Sequence, residues 1–65
     1  MPVITLEAGK MDQNQKETLI EEFTRIASEI LKISPDAFTI YLKENHFDNI
    51  GVGGKSLSRI YRDKK

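Results

Sequence analysis

The chain has 65 residues, with ten acidic and ten basic side chains, one histidine and no cysteine. Residues 1–65 therefore read as a single domain, which buries only about 60% of its unfolded surface and has no disulfide or thiolate–metal site to staple it. It needs good local packing or a partner chain, and its zero net charge argues against a protein built mainly to grip nucleic acid or an anionic membrane.

The first element in chain order is a buried strand opened by Pro2, running through Val3, Ile4, Thr5 and Leu6 towards Ala8. Proline costs little as the first residue of a strand. Proline is also small around its nitrogen, so aminopeptidase is expected to remove Met1 and leave Pro2 as the N-terminus. Its nitrogen is then a secondary amine. In an apolar pocket its charged form is disfavoured, its pKa falls, and it can act as a general base near neutral pH.

Gly9 and Lys10 close the strand. Lys10 then stands where a parallel βα unit presents ligand-contacting loops, and it reads equally as an anion-binding lysine or as a solvated one. Asp12 and Gln15 have the spacing of a helix-capping pair. From Gln13 to Lys32 the apolar residues Leu19, Phe23, Ile26 and Ile30 recur at steps of three and four, widened by Ile20, Ala27 and Leu31. This pattern predicts one long amphipathic helix, which Pro35 stops.

Phe38 to Glu44 alternates with period two, with Phe38, Ile40 and Leu42 on one face and Thr39, Tyr41 and Lys43 on the other. Strand, long helix and strand make a right-handed βαβ unit with parallel strands. Two strands and one helix are not stable alone, and both sheet edges stay unpaired. The pattern thus predicts an α+β fold whose sheets join across subunits. Asn45 to Gly54 carries three glycines in its last four residues and predicts a small β-hairpin. From Lys55 onward, Lys55, Arg59, Arg62, Lys64 and Lys65 face the single acid Asp63, which reads as a solvated, frayed tail.

Several motifs fail on inspection. Gly51-Val52-Gly53-Gly54-Lys55-Ser56 looks like a phosphate loop, but Asn49 stands where its first glycine is required. A dinucleotide fingerprint would need glycine at Ser56. His46 is the only histidine and no cysteine accompanies it, so no metal site is expected; it reads as a surface-loop residue. Tyr41 and Tyr61 read as packed rings with exposed hydroxyls. No apolar run approaches the length of a membrane span, and no signal peptide is visible, so the expected location is the cytoplasm.

Taken together, Met1-Pro2-Val3-Ile4, Gly9-Lys10, Gln15-Lys16-Glu17-Thr18-Leu19-Ile20 and Asn49-Ile50-Gly51-Val52-Gly53-Gly54 resemble the 4-oxalocrotonate tautomerase family over nearly the whole chain. The resemblance implies a short βαβ subunit with a C-terminal β-hairpin, paired into four-stranded sheets and assembled as a homohexamer, a trimer of dimers. It implies an isomerase that interconverts enol and keto forms of a small unsaturated 2-oxo acid without cofactor or metal. Pro2 matches the general acid/base. Lys10 takes the place of an arginine after the first strand, Thr39 that of an arginine in the second strand, and Ile50 that of an aromatic residue before Gly51. Lys10, Thr39 and Ile50 are thus the substrate-binding positions. Lys43 shares a strand face with Thr39 and is a substitute cation, with Arg59 and Arg62 as further candidates from across a subunit boundary. The Thr39 and Ile50 departures also motivate an alternative: a non-catalytic oligomeric or small-ligand-binding protein that kept the fold without the chemistry.

Overall fold

The structure, a computed structural model, describes residues 1–63; Lys64 and Lys65, the end of the expected tail, lie outside the described residues. Strand β1 (Val3–Ala8) leads into helix α1 (Gln13–Leu31), and a 3-10 turn at Pro35–Ala37 leads into strand β2 (Thr39–Glu44). A second 3-10 turn at Phe47–Asn49 precedes a two-residue-per-strand hairpin, β3 (Gly51–Val52) and β4 (Lys55–Ser56), and a short helix α2 (Leu57–Arg62). Strands β1 and β2 pair in parallel, Val3 opposite Thr39 and Ala8 opposite Glu44, and β3 pairs with β4 antiparallel. The βαβ core with its C-terminal hairpin is the α+β subunit that the sequence predicts.

The local causes are legible. Asp12 caps α1 by accepting the Gln15 backbone N–H at 2.8 Å, while the Gln15 side chain accepts the Asp12 N–H at 3.0 Å. This reciprocal capping box satisfies two amides that the helix leaves orphaned. At the other end Lys32 adopts the left-handed conformation (φ 60°), and its N–H bonds back to the Ser28 carbonyl. The helix therefore ends one residue short of the predicted boundary, with Lys32 as its cap. Gly53 and Gly54 sit at φ 61° and 87°, which the tight hairpin turn requires and L-residues resist.

Two expectations are corrected. The first strand is not buried: Ile4, Leu6 and Ala8 are half-buried while Val3, Thr5 and Glu7 are exposed, because α1 covers only one face of a two-stranded sheet. The segment after Lys55 is not a frayed tail as far as it is described. Ser56 caps α2 by accepting the Arg59 N–H at 3.1 Å, and Leu57 N–H donates to the Ile50 carbonyl at 2.8 Å.

No residue among those described is fully buried. The radius of gyration is 15.5 Å and the long axis 46 Å, against a radius of about 11 Å for a compact domain of this length. The accessible surface is 5225 Å², roughly 1,000 Å² more than a monomer of this mass ordinarily exposes. Leu19, Phe23 and Ala27 of α1 are half-buried. Ile26, Ile30 and Leu31 of the same stripe are 45%, 72% and 52% exposed. Two strands are too narrow to cover the stripe. No helix among the described residues is long and apolar enough to cross a membrane.

Candidate active site

The sequence-derived site residues fall into two groups at opposite ends of β1. Pro2 precedes the strand and is half-buried. Its carbonyl accepts the Thr39 N–H at 3.1 Å, so Pro2 and Thr39 are brought together at the sheet's leading end. Met1 packs loosely there, 90% exposed, with its sulfur 3.9 Å from the Thr39 hydroxyl.

Lys10 and Ile50 meet at the other end. They line one open cleft of about 790 Å³, together with Gly9, Asn45, Phe47 and Tyr61. At about 3.3 Å per residue, Pro2 and Lys10 of one chain stand roughly 25 Å apart. An extended strand therefore keeps Pro2 and Lys10 apart within a single subunit. Lys43 lies on the uncovered sheet face, paired in register with Glu7 and exposed, and it does not line the Lys10 cleft. Arg59 and Arg62 engage Asp63 at 3.8 Å each.

The cleft is built by several local devices. The Asn45 N–H donates to the Ala8 carbonyl at 2.8 Å, which extends the sheet ladder to the cleft floor. Asn45 Nδ2 donates to Glu7 Oε1 at 3.3 Å, which positions the acid at the rim. His46 Nδ1 accepts the Asp48 N–H at 3.0 Å and caps the 3-10 turn that carries Phe47. The lone histidine thus has a structural use that its surface-loop assignment missed.

Glu44 ties the end of β2 to the start of α1. Its carboxylate accepts the Met11 N–H at 2.7 Å and pairs with Lys16 at 3.0 Å. The Met11 hydrogen bond, followed by Lys16, holds the Glu44 carboxyl below its usual range. Lys10 forms no salt bridge among the described residues; Lys16 pairs with Glu44, on which the Lys10 charge acts only as a weaker influence. One uncommitted ammonium thus faces an open cleft with an apolar and aromatic wall. Among the described residues there is no group of three or more His, Asp or Glu side chains placed to hold a metal ion.

Phe47 and Tyr61 are the cleft residues that sequence reading missed. Their rings lie 5.2 Å apart at 38°. The available signal was the spacing Leu57, Ile60, Tyr61 behind a serine cap, which marks an amphipathic turn inside an otherwise basic stretch.

A βαβ unit headed by proline, with a cation-bearing cleft at the far end of its first strand, defines a tautomerase-like subunit. Residues 2–60 match the family model described as tautomerase enzyme. DmpI from Archaeoglobus fulgidus superposes with a TM-score of 0.81 at 35% identity, covering 88% of this chain and 98% of that one. TomN, a 4-oxalocrotonate tautomerase homologue in the tomaymycin biosynthetic pathway, gives a TM-score of 0.90 at 22% identity over 94% and 95% of the two chains. The asymmetric trimer of a fused 4-OT gives 0.76 at 27% identity, covering 92% of this chain and 48% of that one. None of the curated proteins matches the chain in sequence. The chain belongs to the 4-oxalocrotonate tautomerase family of the tautomerase superfamily.

Proposed function

We propose that this protein is a homo-oligomeric, cofactor-independent tautomerase that interconverts enol and keto forms of a small unsaturated 2-oxo acid, with the Pro2 amine as general acid/base. The observation that carries the reading is the separation of Pro2 from the Lys10–Ile50 cleft along β1, in a subunit none of whose described residues is fully buried. Each subunit offers half a site at each end. Pairing the exposed sheet edges of two subunits brings the Pro2 of one over the Lys10 cleft of the other, and a trimer of such dimers covers the remaining apolar faces.

The mechanism follows from the chemistry of the two halves. With Met1 removed, Pro2 carries a secondary amine. A partner's Lys10 and the apolar Ile50 wall both disfavour its protonation, so it stays neutral at working pH. That nitrogen takes the proton of the enol hydroxyl. The negative charge spreads through the conjugated chain, and the lysine ammonium stabilises it while holding the substrate carboxylate. The protonated Pro2 then returns the proton to carbon, which leaves the ketone and the free amine. No net proton or electron is gained or lost. Thr39, beside Pro2, contributes a hydroxyl at the leading end.

The uncharged Thr39 in that position favours a second reading, a protein that binds such acids on this fold without turning them over. The ketonisation rate of a simple 2-hydroxydienoate, followed by ultraviolet absorbance with protein whose mass shows Met1 removed, separates the two. A rate well above buffer that is lost in Pro2→Ala supports the tautomerase. A rate equal to buffer favours the binding protein.

A further inference from the structure

The Lys10 cleft contains a recognition element that the general acid/base chemistry does not use. Tyr61 lines it from α2, and its hydroxyl makes no hydrogen bond among the described residues. Its position is built rather than incidental. The Leu57 N–H anchors the start of α2 to the Ile50 carbonyl at 2.8 Å, and Ser56 caps the helix. The Phe47 ring packs against Tyr61 within the same cleft, centroids 5.2 Å apart and tilted by 38°. Phe47 reaches that place only because residue 9 has no side chain: a Cβ there would lie 2.7 Å from the ring edge.

The cleft thus places together an aromatic ring packed on a second ring and, among the described residues, a phenol without a hydrogen-bond partner and an ammonium without a salt bridge. Its one acid, Glu7, is held at the rim by Asn45. That set suits a planar, conjugated carboxylate bound by a single charged end. The ring face offers stacking to a conjugated chain, the phenol donates to a carboxylate oxygen, and the lysine neutralises the charge. A second carboxylate at the same end would meet Glu7 and be repelled.

We propose that Tyr61 is a substrate-binding residue that selects planar, conjugated monocarboxylates, its ring held in register by Phe47 and its hydroxyl acting beside Lys10. This rests on the reading of the Lys10 cleft as the substrate site of a tautomerase. The test uses two acids of equal length and charge that cannot tautomerise: sorbate, which is conjugated and flat, and hexanoate, which is saturated and flexible. Binding of each to the intact oligomer is measured by calorimetry and by NMR shift perturbation.

The wild-type protein should prefer sorbate by about five-fold, the contribution of one good stacking contact. Lys10→Ala should weaken both acids by about ten-fold. Tyr61→Phe should weaken both acids while keeping the preference, and Tyr61→Leu should abolish the preference. A wild-type sorbate preference in Tyr61→Leu, with its assembly and circular dichroism intact, overturns the proposal. A Tyr61-dependent preference in a protein that turns over no enol keeps this assignment and removes the tautomerase. Pro2-dependent turnover with no effect of either Tyr61 variant removes this assignment alone.

Discussion

Gly9 and Phe47 make a contact that only glycine permits: a Cβ at residue 9 would sit 2.7 Å from Cε1 of Phe47. Gly9 ends the first strand and Phe47 begins the turn after the second, so this approach sets how the C-terminal third docks on the sheet. Gly9→Ala should push the Phe47 ring away from Tyr61 and destabilise the fold by about 1 kcal/mol, the low end of overpacking costs, because the ring is 39% exposed and can give way. In a Phe47→Ala background the same change should be nearly neutral. Thermal melts of the four proteins form a double-mutant cycle that isolates the contact.

The hairpin turn gives a second prediction. Gly54 has φ 87°, with nothing within 4 Å of the place a Cβ would occupy. Any loss in Gly54→Ala is therefore backbone strain rather than a clash, about 1–2 kcal/mol for an L-residue forced left-handed. Gly53→Asn should cost less, since asparagine tolerates φ near the 61° found there. Denaturant unfolding midpoints distinguish the two.

Glu44 gives a pH dependence. Its carboxyl is held below the ordinary 4.5 by the Met11 amide first and Lys16 second. A depressed folded-state pKa means that the unfolded chain takes up the proton first as pH falls. The stabilisation is therefore present above pH 4.5 and is lost as pH drops through the folded value. Glu44→Gln should lower the melting temperature at neutral pH and flatten its acid dependence. Melting curves across the acid range, with NMR titration of the Glu44 carboxyl carbon, check both.

Ile30 is 72% exposed on a helix face whose neighbours Ile26 and Leu31 are also uncovered. Burying a charge in an interface built on that patch is costly. Ile30→Glu should shift the protein to a smaller assembly in sedimentation velocity and reduce its helical signal, because the lone subunit buries too little to hold α1. An unchanged assembly would show that this face is not between subunits.

Much of this subunit was legible from residues alone. The capping pair Asp12–Gln15, the three-and-four spacing from Leu19 to Ile30 and the alternation from Phe38 to Lys43 are local signals, and each element lies within a residue or so of its expected place. Helix α2 was hidden because the charges of Arg59 and Arg62 outweigh the short apolar spacing of Leu57, Ile60 and Tyr61. The Phe47–Tyr61 pair was hidden because fourteen positions and a hairpin separate two residues that only tertiary docking brings together. The distance between Pro2 and Lys10 was readable in principle, since both flank one extended strand. The consequence proposed from it, a site completed by a second chain, draws on the finding that none of the described residues is fully buried.

That consequence can be tested by mixing subunits. Pro2→Ala and Lys10→Ala proteins should each be nearly inactive in enol ketonisation. Co-refolded in equal amounts, with subunit exchange verified by native mass spectrometry, they should recover about a quarter of wild-type activity. In such hybrids one site in four joins an intact Pro2 to an intact Lys10 from different chains, about the share expected for random pairing. Exchanged hybrids no more active than the two parents would contradict a site shared between subunits.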